Sequence, residues 1–253
     1  MKEILYLYNS PLEQFIVFNI FNYFSIVGIK ITNIALNFLF VTFCIFLLVY
    51  NNSHKVYLFS NKFILLSSIY NFLKEIFKEN VNIKKPYLFP YVFFIFLIIL
   101  FSNLLGLVPF SFTVTSSIIF TFFFSLSSFI NINFTGFRVH GIKFFNIFLP
   151  NGAPGPIVPF LVIIEFISYN AKVFSLAIRL FANMMSGHIL LKILATAGWA
   201  LLCSYLPISI IFTGLFSIIL LIILGLELCI AFLQAYVFVM LICIYFNECI
   251  NLH

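Results

Sequence analysis

The sequence predicts an all-α polytopic membrane protein, and three observations carry that prediction. Hydrophobic residues fill 64% of its 253 positions and charged residues only 8%, where soluble domains carry about 25% charge to face water. Mean hydropathy is +1.19. The charges gather between apolar runs long enough to cross a bilayer core of ~30 Å. Together these exclude a soluble fold. They give a single membrane domain over 1–253: about five membrane-crossing helices, one interfacial amphipathic helix, and two long, steeply tilted C-terminal helices forming a hairpin.

Residues 1–30 match no pattern and are assigned no function. The first span is 31–50. The stretch 54–85 changes character: Lys62, Ser68, Asn71, Lys74, Glu75, Lys78, Glu79 and Asn82 recur at helical spacing. Opposite them lie Leu65, Leu66, Ile69, Phe72, Leu73, Ile76 and Phe77. That pattern suits a helix lying in the membrane interface; a short helix packed on a protein partner is the other reading. Pro86 and Pro90 open a helical pair, 87–135, made of apolar runs at 91–108 and 114–134. The first run ends at Gly106 and Pro109, and only a tight uncharged turn separates it from the second. From 138 to 159, four prolines (Pro150, Pro154, Pro156 and Pro159) exclude a regular helix.

The hairpin, 157–249, holds two far longer apolar segments, 160–197 and 207–247, with no proline interrupting either beyond Pro207 at the start of the second. Each has about 38–41 residues, or ~57–61 Å as helix at ~1.5 Å per residue. A perpendicular crossing needs only ~20 residues. Continuous helices of that length tilt by about 60°, beyond the usual ~0–40°, so something large must hold them.

Lys and Arg counting sets the orientation. Lys55, Lys62, Lys74, Lys78, Lys84 and Lys85 precede the helical pair, and Arg138 and Lys143 follow it, against Lys2 and Lys30 on the other side. Both basic loops face the inner compartment, with the N-terminus outside and the C-terminus inside. The same arithmetic absorbs the net charge of +6 and removes nucleic acid as a partner. The five cysteines lie in or beside apolar segments without metal-type spacing.

The informative charges lie within the two long segments: Glu165, Lys172, Arg179, His188, Lys192 and Glu227. An ionised group near the bilayer centre costs at least ~2.5–3.5 kcal/mol. Glu165, Lys172 and Arg179 fall at i, i+7 and i+14, along one helix face with ~20° drift per step. Asn183 and Gly187 continue that face, with His188 alongside. On the last segment Glu227, Gln234 and Glu248 share a face. Ion conduction is the natural use of two polar stripes crossing lipid depth. Several members have plainer readings: a structural Glu165–Lys172 pair, a snorkelling Lys192, a core His188, and Gln234 as interhelical glue. Arg179 has none so simple, because burial cannot deprotonate it.

No Walker sequence, nucleophile elbow, HExxH or haem-type histidine pair is present. Bond-making chemistry is not expected of this chain, nor any cofactor or metal.

The block Ser175-Leu-Ala-Ile-Arg179-Leu-Phe-Ala-Asn183-Met-Met-Ser-Gly187-His188 resembles the signature of subunit a of F-type ATP synthases, in its mitochondrial form. So do Asn103-Leu-Leu-Gly-Leu-Val-Pro109-Phe-Ser-Phe-Thr-Val-Thr115 and Leu226-Glu227-Leu-Cys-Ile-Ala-Phe-Leu-Gln234-Ala-Tyr236-Val-Phe. The resemblance spans 86–253 and weakens back to 31. It implies that Arg179 faces the proton-carrying carboxylate of a rotating c ring, the large body that the tilt demands. It implies that Asn183, Glu165, Lys172, Ser175, His188, Glu227 and Gln234 belong to two aqueous half-channels or their lining. Bacterial relatives often carry a carboxylate at the His188 position and a histidine at the Glu227 position; this chain has the reverse.

The implied partners are the c ring, peripheral-stalk subunit b, other membrane-sector subunits and membrane lipids. ATP chemistry would sit on other subunits. The implied location is the mitochondrial inner membrane, multi-pass, with the N-terminus in the intermembrane space and the C-terminus in the matrix. Two rival readings remain. Another ion-translocating membrane subunit or transporter would favour inverted repeats or broken helices, and a structural membrane anchor has no use for Arg179.

Overall fold

The computed structural model describes residues 15–17, 32–53, 61–81, 86–108, 111–149, 157–203 and 209–251. Its elements are helices: α1 (Asn33–Ser53), α2 (Asn61–Asn80), α3 (Phe89–Gly106), α4 (Ile118–His140), α5 (Val158–Leu202) and α6 (Ser209–Ile250). Short 3-10 turns occupy Pro86–Leu88, Val114–Ser116 and Gly141–Phe148. Among the described residues four helical stretches are long and apolar enough to cross a membrane, Pro86–Gly106, Ile118–Phe148, Val158–Leu202 and Phe212–Ile250, beside the shorter apolar Asn33–Val49. The protein is an all-α, multi-pass membrane fold.

Helix α1 starts where the Thr32 hydroxyl accepts from the Ala35 N–H at 3.4 Å, filling one of the donors a first turn leaves free. On α2 the apolar stripe divides. Leu73, Ile76 and Phe77 are buried, while Ile64 and Phe72 stay exposed, and Lys74, Glu75, Lys78 and Glu79 face outward. The helix rests on α6, with Asn80 Nδ2 3.3 Å from Met240 Sδ and Phe72 against Tyr236. The 54–60 and 82–85 parts of the expected interfacial segment lie outside the described residues, as do 1–14 and 18–30.

Helix α3 is the centre of the bundle. Val92 and the unbroken run Ile95 to Leu100 are buried, which is why its sequence is apolar all round rather than striped. Pro90 sits in its first turn, where its missing N–H costs no hydrogen bond. Helix α4 turns Thr121, Ser125, Ser128, Ile132, Thr135 and Gly136 inward at three- and four-residue steps. Small residues there let backbones approach. The hydroxyls of Thr121, Ser125, Ser128 and Thr135 bond to carbonyls three residues back, so burial leaves none of them unpaired.

Helix α4 runs further than the hydrophobic pattern indicates. Arg138, placed in a loop by sequence, occupies the last helical turn with its guanidinium 4.3 Å from the centre of the Phe134 ring. That stack holds a cationic helix end where the macrodipole favours one. Gly141 then takes φ +57°, and Phe144 folds back against Gly136, leaving no room there for a side chain. Pro109, Pro150, Pro154, Pro156 and Pro207 lie outside the described residues, and Pro159 opens α5 from within its first turn.

Helices α5 and α6 contain 45 and 42 residues, about 68 and 63 Å at ~1.5 Å per residue. They run antiparallel, with a register set by successive contacts. Gly198 lies near Phe216 and Gly187 against Glu227; Arg179 pairs with Gln234, and Lys172 with Glu248. Near the C-terminus α6 is embedded: Ala231, Ala235, Phe238, Val239, Ile242, Cys243, Phe246 and Cys249 are all buried. His140 ties this end down, its Nε2 2.8 Å from Ile250 O. Towards the hairpin's tip Leu215, Ile218, Leu221, Ile222 and Leu226 are exposed.

Candidate functional site

The hairpin carries three polar tiers. Nearest the tip, His188 Nδ1 lies 3.5 Å from Glu227 Oε1, and Glu227 is 3% exposed. Gly187 makes this possible, because a β-carbon there would lie 2.6 Å from Glu227 Oε1. The carboxylate therefore rests directly on the α5 backbone. Close to the midpoint of α5, Gln234 Nε2 donates to the Arg179 carbonyl at 3.0 Å. Helix α6 thus clasps the backbone of residue 179 from one side and leaves its side chain on the other.

That other side is open. Arg179, Ser175, Asn183 and Ser186 are exposed along one face of α5, and the Arg179 guanidinium forms no ion pair among the described residues. The third tier lies seven residues, or ~10 Å, nearer the start of α5. There Lys172 Nζ meets Glu248 Oε2 at 2.6 Å, and it sits 4.9 Å from the centre of the Tyr245 ring.

The structure therefore brings together His188 with Glu227, and Arg179 with Gln234. It does not join Glu165 to Lys172. Glu165 is half-buried and makes no ion pair among the described residues, while the partner of Lys172 is Glu248. The i, i+7, i+14 stripe also divides. Drift around the helix and a flexible four-carbon stem carry Lys172 onto α6, whereas Arg179 stays on the open face. Lys192 is half-buried in the tip half of the hairpin.

Sequence reading gave no roles to several polar residues beside the first tier. Asn103 is fully buried and donates through Nδ2 to Ala231 O at 3.3 Å. Asn103 Oδ1, Thr113 Oγ1, Thr115 Oγ1, His188 Nε2, both Glu227 oxygens and Gln234 Oε1 are buried without a hydrogen-bond partner among the described residues. Native proteins pair most buried polar atoms with protein or water, so these atoms stand out from the ordinary pattern. The signal available in sequence was weak: an uncharged run of Asn, Gly, Ser and Thr between two spans. Among the described residues no group of His, Cys, Asp and Glu could hold a metal ion.

A multi-pass helical protein with polar groups along the seam of its long hairpin, and an exposed arginine beside it without an ion pair among the described residues, falls in the class of ion-translocating membrane subunits. A family model described as ATP synthase A chain matches residues 31–247. Similar proteins include ATP synthase subunit a of Chondrus crispus, 46% identical over 98% of both chains. That of Brassica napus is 43% identical over 96% of this chain and 97% of its own. That of Acanthamoeba castellanii is 42% identical over 96% and 98%. The chain belongs to the ATP synthase A chain family, and its place is in the membrane sector of an F-type ATP synthase.

Proposed function

We propose that this chain is the proton-translocating stator of that sector, supplying two half-channels to a c ring and coupling proton flow to rotation and ATP synthesis. One observation carries the reading: Arg179 lies exposed midway along a membrane-depth helix and pairs with no carboxylate among the described residues. A guanidinium cannot shed its charge, and leaving it in hydrocarbon is costly. A carboxylate on a neighbouring subunit, passing along the Ser175–Arg179–Asn183 face, compensates it.

Protons enter from the outer side, reach the His188–Glu227 tier and protonate a ring carboxylate. After nearly a full turn they leave on the inner side, through a half-channel lined by Glu165 and Lys172. Arg179 stands between the two. Its fixed charge favours the deprotonated carboxylate and repels a proton crossing directly, a short circuit that would dissipate about 2.3 kcal/mol per proton for every 100 mV. Gln234, by holding the 179 carbonyl, fixes where that charge stands.

The chain then acts as a single non-catalytic membrane domain, with ATP chemistry on other subunits. Its partners are the c ring, peripheral-stalk subunit b, other membrane-sector subunits and lipid. Relatives from an alga, a plant and a protist support the mitochondrial inner membrane, and the positive-inside count supports the orientation. The N-terminus lies in the intermembrane space and the C-terminus in the matrix. Lys2, Lys30, Lys55, Lys84 and Lys85, on which much of that orientation rests, lie outside the described residues.

The test is Arg179→Ala in the assembled complex. Proton-driven ATP synthesis is expected to disappear while ATP hydrolysis by detached catalytic parts continues. Normal coupled synthesis would contradict the role given to Arg179.

A further inference from the structure

Gly141, at φ +57°, turns the chain out of α4, and Gly141–Phe148 then winds as a 3-10 helix of eight residues, long for that tight form. With three residues per turn, side chains at i and i+3 line up, so the element has three distinct stripes. Phe144 is buried and Ile147 packs against the core. Lys143 and Asn146 form an exposed polar stripe. Ile142 and Phe145 form an exposed apolar one, 88% and 56% accessible. Ile142 shows a larger fraction of its surface than any other large apolar side chain among the described residues.

The length of α4 sets the depth of this element. Its 23 residues extend ~35 Å at ~1.5 Å per residue, enough to cross a hydrocarbon core of ~30 Å with little to spare. Gly141 therefore falls at an edge of that core, and Ile142 and Phe145 stand where acyl chains give way to headgroups. Two cations flank them. Arg138 is held with its guanidinium 4.3 Å from the centre of the Phe134 ring, and Lys143 follows Ile142 directly. Both are exposed, and neither forms an ion pair among the described residues. No acidic residue occurs between Glu79 and Glu165. Exposed apolar side chains bracketed by uncompensated cations at a bilayer edge match acyl chains lying beneath anionic phosphates.

We propose that residues 138–145 form a docking site for an anionic phospholipid, with Arg138 and Lys143 on its phosphate and Ile142 and Phe145 against the upper part of its acyl chains. Both cations donate charge-assisted hydrogen bonds to phosphate oxygens. The bound lipid fixes the end of α4 at the membrane surface. Through His140, whose Nε2 lies 2.8 Å from Ile250 O, it also steadies the end of α6. The site follows from the multi-pass fold and does not depend on the path that protons take.

The experiment places the assembled complex in phosphatidylcholine vesicles containing a small fraction of phosphatidylglycerol with a photoreactive group beside its headgroup. Adducts are located by peptide mass spectrometry and are expected within residues 138–149. Arg138→Gln with Lys143→Gln should weaken this capture about thirtyfold, at about fivefold for each cation lost. Phosphatidylcholine carrying the same photoreactive group should label the segment more weakly, and equally in wild type and variant. Adducts that the glutamine pair leaves unchanged, equal capture of the two lipids, or cross-links from another subunit in place of lipid would overturn the proposal.

Should the glutamine pair fail to assemble, competition in the wild-type complex decides. Unlabelled phosphatidylglycerol should displace the probe, whereas inorganic phosphate, which brings no acyl chains to Ile142 and Phe145, should not. Displacement by inorganic phosphate, or equal displacement by unlabelled phosphatidylglycerol and phosphatidylcholine, would overturn the proposal.

Discussion

The two cations at positions 172 and 179 sit seven residues apart on one helix and meet opposite fates. Lys172 finds a carboxylate within its own chain, Glu248 at 2.6 Å, with its ammonium over the Tyr169 and Tyr245 rings. Arg179 has no ion pair among the described residues, accepts a hydrogen bond at its backbone carbonyl and is exposed. A charge compensated internally stabilises a hairpin; one left uncompensated at lipid depth requires a neighbour. The same contrast separates the two halves of α6. Its C-terminal half is buried among α2, α3, α4 and α5, and its tip half shows apolar side chains outward. Uncompensated charge and uncovered surface both point away from this chain's own bundle.

That comparison sharpens into graded expectations. After Arg179→Ala, the largest effect belongs to Glu227→Gln, which keeps the shape of a buried side chain packed on Gly187 but removes its ability to exchange a proton. A positioned proton-transfer group contributes about a hundredfold or more, so proton-driven synthesis should fall by about that factor with assembly intact. An unchanged rate would reduce Glu227 to a packing residue. At the small end is Lys172→Met. The pair it breaks is partly exposed, with side chains 25% and 42% accessible, and such pairs contribute about 0–1 kcal/mol. Assembly and synthesis should stay within about fivefold of wild type. A loss as deep as that of Glu227→Gln would erase the distinction between the two cations and make Lys172 a proton-exchanging group rather than part of the half-channel's lining.

How much of this was legible in the sequence depended on the kind of force involved. The spans were legible because lipid imposes a length, and Arg179 stood out because a guanidinium has no neutral form to retreat to. The pairing of Lys172 was not legible, since Glu248 lies 76 residues away and depends on the register of two antiparallel helices. That register is fixed by contacts such as Gly187 on Glu227, where an absent side chain leaves no mark on hydropathy. The end of α4 was misjudged for a similar reason. Arg138 reads as a loop residue by charge, but stacking on Phe134 and a helix C-terminus both favour it there.

The most direct measurement is a density map of the complete membrane sector, read at residue 179. The expected result places the Arg179 guanidinium within about 4 Å, ion-pair reach, of a carboxylate on an adjoining ring helix, with Ser175 and Asn183 on the same contact face. A guanidinium directed into lipid or the headgroup zone, with no ring carboxylate near it, would contradict the function proposed here.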